Sequence, residues 1–255
     1  MTPITHAIIL AAGRGTRLWP HTKDRPKCLL PIGEKTLIEH QVGALETQGI
    51  SHITVVTGYF GAKIRQVLGA RVSYIDNDRF VDTSSMYSLW LARAAATEGC
   101  IILNADVLFH AEILRALLAS PHADALAVDY DAVLVDEETK VQIDGERVRA
   151  LSKTLPQGDA ENVGMVKMSA AGSRILFAKI AELLRHDHAQ EMVPFAVNAI
   201  ASSHVIGAVS VESLPWIEID FPEDYQRACD EVYPAMCASG HALVSSVSVP
   251  PPTTG

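Results

Sequence analysis

IILAAGRGTRLWPHTKDRPKCLLP, residues Ile8 to Pro31, decides how the rest of the chain is read. An apolar run, Ala7 to Ala11, ends in the loop Gly13-Arg14-Gly15-Thr16-Arg17. A second loop carries Arg25-Pro26-Lys27, and another apolar run follows. Glycines let a backbone turn sharply and approach a ligand closely, and their N–H groups bind anions with no side chain in the way. Small residues, glycines and cations behind a buried strand make a cradle for a polyphosphate, to which Arg17 and Lys27 add mobile positive charge. The glycines alone say little. Leu18 stands where a dinucleotide fingerprint has its third glycine, and the Gly-Lys-Ser/Thr of a Walker A loop is missing.

Working outward, Ile4 to Ala11 has the continuous apolar pattern of a parallel strand buried on both faces. Thr36 is a good helix N-cap, and Leu37, Ile38, Val42 and Leu45 form a helical apolar stripe that runs to Gln48, with Gly49 as stop. Ile53 to Thr57 reads as a strand, Ala62 to Leu68 as a short helix and Val72 to Ile75 as a third strand. The order βαβαβ predicts an α/β chain with a Rossmann-like, doubly wound sheet. Ser84, Ser85 and Ser88 fall in the first turn of a helix whose Met86, Leu89 and Trp90 face the core. Free N–H groups there favour anions, although simple capping by Thr83 or Ser84 explains the same residues equally well. Asn104-Ala105-Asp106 follows the strand Cys100 to Leu103 at its C-terminal end, the edge where open α/β sheets bind ligands.

From Asp129 the pattern changes to alternation, over Val133 to Val135, Lys140 to Ile143 and Arg147 to Leu151, with Asp144-Gly145 as a hairpin signal. Val163 to Met168 is a further strand. Residues 129–168 are read as a small antiparallel insertion that walls a second substrate. Helices over Ser173 to Arg185 and Glu191 to Ser202, strands over Gly207 to Val211 and Trp216 to Ile219, and a last helix after Phe221 complete one domain, 1–240. A Pro triplet and Ser/Thr content mark 241–255 as a disordered tail.

The 255 residues are 48 % apolar and 20 % charged, the balance of a soluble globular protein. A net charge of −9 argues against nucleic acid or an anionic membrane as partner, so cations for a nucleotide must be concentrated locally. Four scattered cysteines without a CxxC pair argue against structural zinc and for a reducing compartment. The N-terminus lacks a basic leader, and its apolar run is too short to span a bilayer, so a cytoplasmic protein is expected. A homodimer is left open.

Leu10 to Thr22 followed by Arg25 to Ile32 closely resembles the signature of the nucleotidyltransferase family that activates sugar and alcohol phosphates with a nucleoside triphosphate. The resemblance covers nearly all of residues 4–231, and includes Asp106 and the segment Leu214 to Asp220 followed by Pro222-Glu223-Asp224. It implies a mixed sheet of the nucleotide-diphospho-sugar transferase type. It also implies that Leu10, Ala11, Ala12, Gly13, Arg14, Gly15 and Thr16 cup the nucleotide, with Ser84, Ser85 and Ser88 nearby. Arg17 and Lys27 would be the catalytic cations on the triphosphate, and Asp106 and Asp220 the ligands of Mg²⁺, whose octahedral shell suits hard carboxylates.

Thr83 to Leu89 resembles the T-N-N-x-x-S-L stretch of phosphocholine and aminoethylphosphonate cytidylyltransferases, with Ser84-Ser85 in place of the paired Asn. Asp129, Glu138 to Val141 and Leu151 to Lys153 also resemble those enzymes, and inositol-phosphate cytidylyltransferases as well. The expected partners are therefore CTP and a small phosphorylated or phosphonate acceptor. Lys153 and Lys167 are candidates for the acceptor's phosphate. Asp129, Asp131 and Glu191 could meet a primary amine, whereas Tyr130, Phe195 and Trp216 could cage a trimethylammonium. A sugar- or inositol-1-phosphate nucleotidylyltransferase is the alternative within the class. A nucleotide-binding regulatory subunit without turnover is the alternative outside it, disfavoured because Arg17, Lys27, Asp106 and Asp220 are all present.

Overall fold

Ala7 to Ala11 are buried on both sides, as a central parallel strand requires. In the computed structural model, which describes residues 3–244 and side chains through residue 238, they form β1 (His6–Ala11). Two short strands, β2 (Pro31–Ile32) and β3 (Lys35–Thr36), lead into α1 (Leu37–Thr47). Then come β4 (His52–Thr57), α2 (Gly61–Leu68), β5 (Ser73–Asp76) and α3 (Ser85–Leu91). β6 (Gly99–Asn104), β7 (Val107–Phe109), α4 (Ala111–Ala119) and β8 (Ala125–Asp129) follow. The second half holds β9 (Lys140–Asp144), β10 (Arg147–Ser152), β11 (Ala160–Ser169), α5 (Ala170–Arg185) and α6 (Val193–Ala201). It closes with β12 (Gly207–Ser210), β13 (Trp216–Glu218), α7 (Pro222–Arg227) and α8 (Tyr233–Val244). No helix among the described residues is long and apolar enough to cross a membrane.

The main sheet runs β5-β4-β1-β6-β11-β8-β12-β10-β9. β5, β4, β1 and β6 are parallel, as the βαβαβ reading predicts. One apolar cluster covers each face, centred on Ile9, Val55 and Leu103 on one side and on Ile8, Val56 and Ile102 on the other. The alternate residues of one buried strand thus feed two cores.

α1 begins where Thr36 predicts. The Glu39 carboxylate accepts from the Thr36 backbone N–H at 2.9 Å and from its hydroxyl at 2.7 Å. Thr36→Ala is expected to lower the unfolding free energy in a urea titration by about 1 kcal/mol and to leave turnover unchanged.

The antiparallel insertion is smaller than the alternation suggests. Only β9 and β10, joined at Gly145 (φ 62°), form an edge hairpin. β11 lies between β6 and β8 in the middle of the sheet, antiparallel to both. Nine of its ten residues are buried, so Val163 to Met168 is core of the nucleotide half rather than a wall added to it. α8 extends to Val244, so 241–244, expected in the tail, are helical, and the rest of that expected tail, 245–255, lies outside the described residues.

β13 leaves the main sheet and pairs antiparallel with β7, Val107 opposite Glu218 and Leu108 opposite Ile217. This two-stranded ribbon carries the late acidic segment to the C-terminal edge of β6.

Candidate active site

Beyond β1 the chain turns through Gly15, which is left-handed at φ 58°. A Cβ there would also sit 3.1 Å from the Lys27 Cβ, so glycine suits the left-handed conformation and lets the second loop approach closely. The Gly15 carbonyl accepts from Leu18 N (3.1 Å) and from the Thr22 hydroxyl (2.7 Å). The resulting 3₁₀ turn, Thr16–Leu18, buries Leu18 and leaves Arg17 facing the cleft. A matching turn at Lys27–Leu29 buries Cys28 and Leu29 and aims Lys27 the same way.

Asp106 occupies the turn between β6 and β7. Its carbonyl accepts from Ile219 N at 3.0 Å, which sets Asp220 beside it. Lys27 Nζ lies between the two carboxylates, 2.8 Å from Asp106 Oδ2 and 2.6 Å from Asp220 Oδ1. Burial by itself would weaken the ammonium, but the charges of Asp106 and Asp220 outweigh it and hold Lys27 above the ordinary lysine range. Burial likewise opposes ionisation of Asp220, yet Lys27, then Arg17 and Lys153, keep its carboxyl below the usual value. Arg17 forks between Asp220 Oδ2 (2.5 Å) and Glu137 Oε2 (3.2 Å), its guanidinium carbon 4.9 Å from the Phe221 ring centre.

Glu218 completes an acidic trio that the expected metal site did not include. One carboxylate oxygen from each of Asp106, Glu218 and Asp220 lies within 4.8 Å of the other two. Burial, then the neighbouring Asp106 and Asp220 charges, push the Glu218 carboxyl up to about 8. Asp106 Oδ1 is buried and has no hydrogen-bond partner. Three converging carboxylates, with an unpartnered buried oxygen on Asp106, fit a hard divalent cation such as Mg²⁺. The signal for Glu218 was its i, i+2 spacing from Asp220, which in extended chain puts both side chains on one face.

These groups open onto a cleft of about 370 Å³ at the C-terminal edge of β1 and β6. Leu10 to Gly13, Gly15, Thr16, Ser84, Ser85 and Ser88 line it, as do Arg17, Lys27, Asp106, Asp220 and Lys153. Arg14 does not; its guanidinium sits 6.0 Å from the ring centres of Trp19 and Tyr59. The expectation of free N–H groups at the start of α3 is corrected at Met86, and the serines around it are partly engaged. Ser84 N donates to Ala189 O (3.0 Å), Met86 N to Glu191 O (3.2 Å), and the Ser85 hydroxyl accepts from Val193 N (3.1 Å). These partners come from the segment leading into α6, whose Met192 and Pro194 line the cleft beside Ser84, Ser85 and Ser88. Ser88 accepts from Asn77 Nδ2 at 3.0 Å; Asn77, 1 % exposed, is a cleft residue that no sequence pattern singled out.

The acceptor candidates separate. Lys167 does not reach the cleft. It is opposite Ile101 in the β11–β6 register, three residues short of Asn104, or about 10 Å along the strand. Its buried amine donates to Ser120 O (2.9 Å) just past the end of α4. The Glu191 carboxylate lies near the His188 ring, at 4.0 Å, and does not line the cleft. Asp129 and Trp216 meet each other, the indole N–H donating to Asp129 Oδ2 at 2.7 Å, also outside the cleft lining.

Glu161, opposite Asp129 in the β11–β8 register, is only 9 % exposed. Burial first, then a hydrogen bond with Glu138 and the charges of Glu138, Glu218 and Asp129, push its carboxyl up to about 9. Among the described residues no Lys or Arg forms an ion pair with it. Lys140, across the strand, sends its amine to Asp136 at 3.6 Å.

Residues 7–199 match the MobA-like NTP transferase domain. The chain is 27 % identical over 243 residues to the CMP-5'-(3-aminopropyl)phosphonate synthase of Streptomyces rubellomurinus, covering 87 % of this chain and 38 % of that protein. It therefore spans less than half the length of that relative. It is also 27 % identical over 251 residues to the CTP:phosphoglutamine cytidylyltransferase of Campylobacter jejuni, covering 87 % of this chain and 98 % of that one. In fold it is similar to the inositol-1-phosphate CTP transferase from T. maritima, with TM-score 0.77 and 20 % identity over 92 % of this chain and 95 % of that one.

Proposed function

We propose, from the premise that the chain belongs to the MobA-like NTP transferase family, that it transfers the cytidylyl group of CTP to a small phosphorylated or phosphonate acceptor bearing a cationic nitrogen. The observation that carries the transfer chemistry is Lys27, held between Asp106 and Asp220 behind the Gly13–Thr16 loop. An acceptor phosphate or phosphonate oxygen attacks the α-phosphorus. The new P–O bond forms as the bond to the bridging α,β-oxygen breaks, and pyrophosphate leaves with that electron pair. The nucleophile is already anionic, so no general base is needed. Lys27 and Arg17 neutralise charge on the triphosphate, Arg17 exchanging Glu137 for phosphate oxygens. Asp106, Glu218 and Asp220 would hold Mg²⁺, which supplies further charge neutralisation on the phosphates when bound.

What supports a nitrogen on the acceptor is the Glu161–Glu138 pair: it stands outside the cleft lining, but each residue is next in sequence to one that lines it, Asn162 and Thr139, and among the described residues no Lys or Arg pairs with Glu161. The aminopropylphosphonate and phosphoglutamine named for the two relatives agree with it. Pyrophosphate release with CTP, UTP and a panel of aminoethylphosphonate, phosphocholine, inositol 1-phosphate and glucose 1-phosphate tests both parts. Turnover restricted to the last two would install the inositol- or sugar-phosphate reading. Nucleotide binding without release for any acceptor would install the regulatory one. Glu161→Gln is expected to raise the KM of the amine-bearing acceptor about 10- to 100-fold, the worth of a hydrogen bond to a charged group, with kcat and the KM for CTP little changed. Equal loss for an uncharged acceptor would sink the assignment.

A further inference from the structure

Gln41 interrupts the apolar stripe of α1. Leu37, Ile38, Val42 and Leu45 face the core, and Gln41, 1 % exposed, faces it with them. Its Nε2 donates to Asn104 O at 2.8 Å and to Val107 O at 2.7 Å. The amide orientation is unambiguous, since a flip would set its oxygen against two carbonyl oxygens. Its Oε1 is left buried with no partner, a penalty that a Leu or Met of similar volume would not carry. Core packing therefore does not account for the residue. What the amide contributes lies at the other end of its two hydrogen bonds.

Asn104 and Val107 bracket the Ala105-Asp106 turn. Within the turn itself, Ala105 N donates to Leu10 O (3.3 Å) and Asp106 O accepts from Ile219 N (3.0 Å). The side chain it carries has the most exacting position in the cleft: Asp106 Oδ2 on Lys27, Oδ1 buried and unpartnered, and a carboxylate within 4.8 Å of those of Glu218 and Asp220.

We propose that Gln41 is a positioning residue for the cation end of the site. By clamping the carbonyls on both sides of Ala105-Asp106, its amide holds the Asp106 carboxylate in register with Glu218 and Asp220. The inference rests on the proposed nucleotidyl transfer and its divalent-cation site. Gln41→Met keeps the volume and removes both donors, and Gln41→Asn keeps an amide one methylene short of the two carbonyls. Val42→Ala, a neighbour on the same stripe, controls for general loosening of α1.

Mn²⁺ binding to the full chain, followed by the loss of the free-ion electron paramagnetic resonance signal, reads the cation site without turnover. Both Gln41 variants are expected to weaken Mn²⁺ binding about 10-fold or more, as removal of support behind a metal ligand does. They should also lower kcat more than they change the KM for CTP. Val42→Ala should lower the melting temperature with no change in Mn²⁺ affinity. Wild-type Mn²⁺ affinity in both Gln41 variants, or an equal loss in Val42→Ala, overturns the inference while leaving the proposed function intact. A wild-type chain that binds no Mn²⁺ even with CTP overturns the cation site itself, and the inference with it.

Discussion

Lys27→Ala is expected to cut kcat by about 10²- to 10³-fold, the loss that follows removal of one preorganised group facing developing charge. The ammonium is fixed at both sides, to Asp106 at 2.8 Å and to Asp220 at 2.6 Å, so it reaches the phosphates already oriented. Its neighbours hold it above the ordinary lysine range, so it carries its charge at neutral pH and no proton has to move during the reaction. The KM for CTP should rise by a smaller factor, because part of the same attraction acts on the bound ground state. Stability should fall by less than turnover: Asp106 loses its Lys27 partner beside two other carboxylates, while Asp220 keeps its 2.5 Å contact with Arg17. Lys27→Arg, which keeps the charge on a wider, planar head, should recover only part of the loss. Single-turnover release of pyrophosphate at saturating CTP, with a melting curve for each variant, makes the measurement. A folded Lys27→Ala chain with wild-type turnover sinks the assignment.

Asp220→Asn should be at least as damaging to turnover, although it is nearly isosteric. The carboxylate orients both cations, Lys27 through Oδ1 and Arg17 through Oδ2, and belongs to the acidic trio. Losing its charge leaves both side chains without a shared anchor and takes one hard ligand from the cation site. The fold should tolerate the change, because three carboxylates crowded together repel and Glu218 is held up to about 8 partly by Asp220. The expected signature is a fall in kcat of about 10²-fold or more, a melting temperature near that of the wild type without divalent ions, and a smaller rise of that temperature on adding Mg²⁺. A parent-like response to Mg²⁺ would remove Asp220 from the cation site.

The sheet's parallel half was legible because its signals are local. β1 has a continuous apolar run, α1 has a cap and a stripe, and each follows from residues next to one another. β11 was legible as a strand but not as a central one. Burial on both faces is a property of its neighbours β6 and β8, not of its own composition. Within the site, the loop cations and Asp106 could be read from a motif and a strand end. Gln41 and Glu161 could not, because a buried polar residue announces itself only once its surroundings are in place.

The residues by themselves determined the strand, the glycine loop and the two cations that must face a polyphosphate, since steric freedom and charge reside in those residues. They also determined the chemistry available to Asp106 and Asp220. Only the tertiary structure decided which of the acidic and basic residues meet. The β7–β13 pairing brings Glu218 and Asp220 to Asp106, and the strand register carries Lys167 away to the end of α4. The reason is that side-chain direction in a sheet depends on register. Register is set by contacts between segments far apart in the chain, and a shift of one residue turns every side chain to the other face.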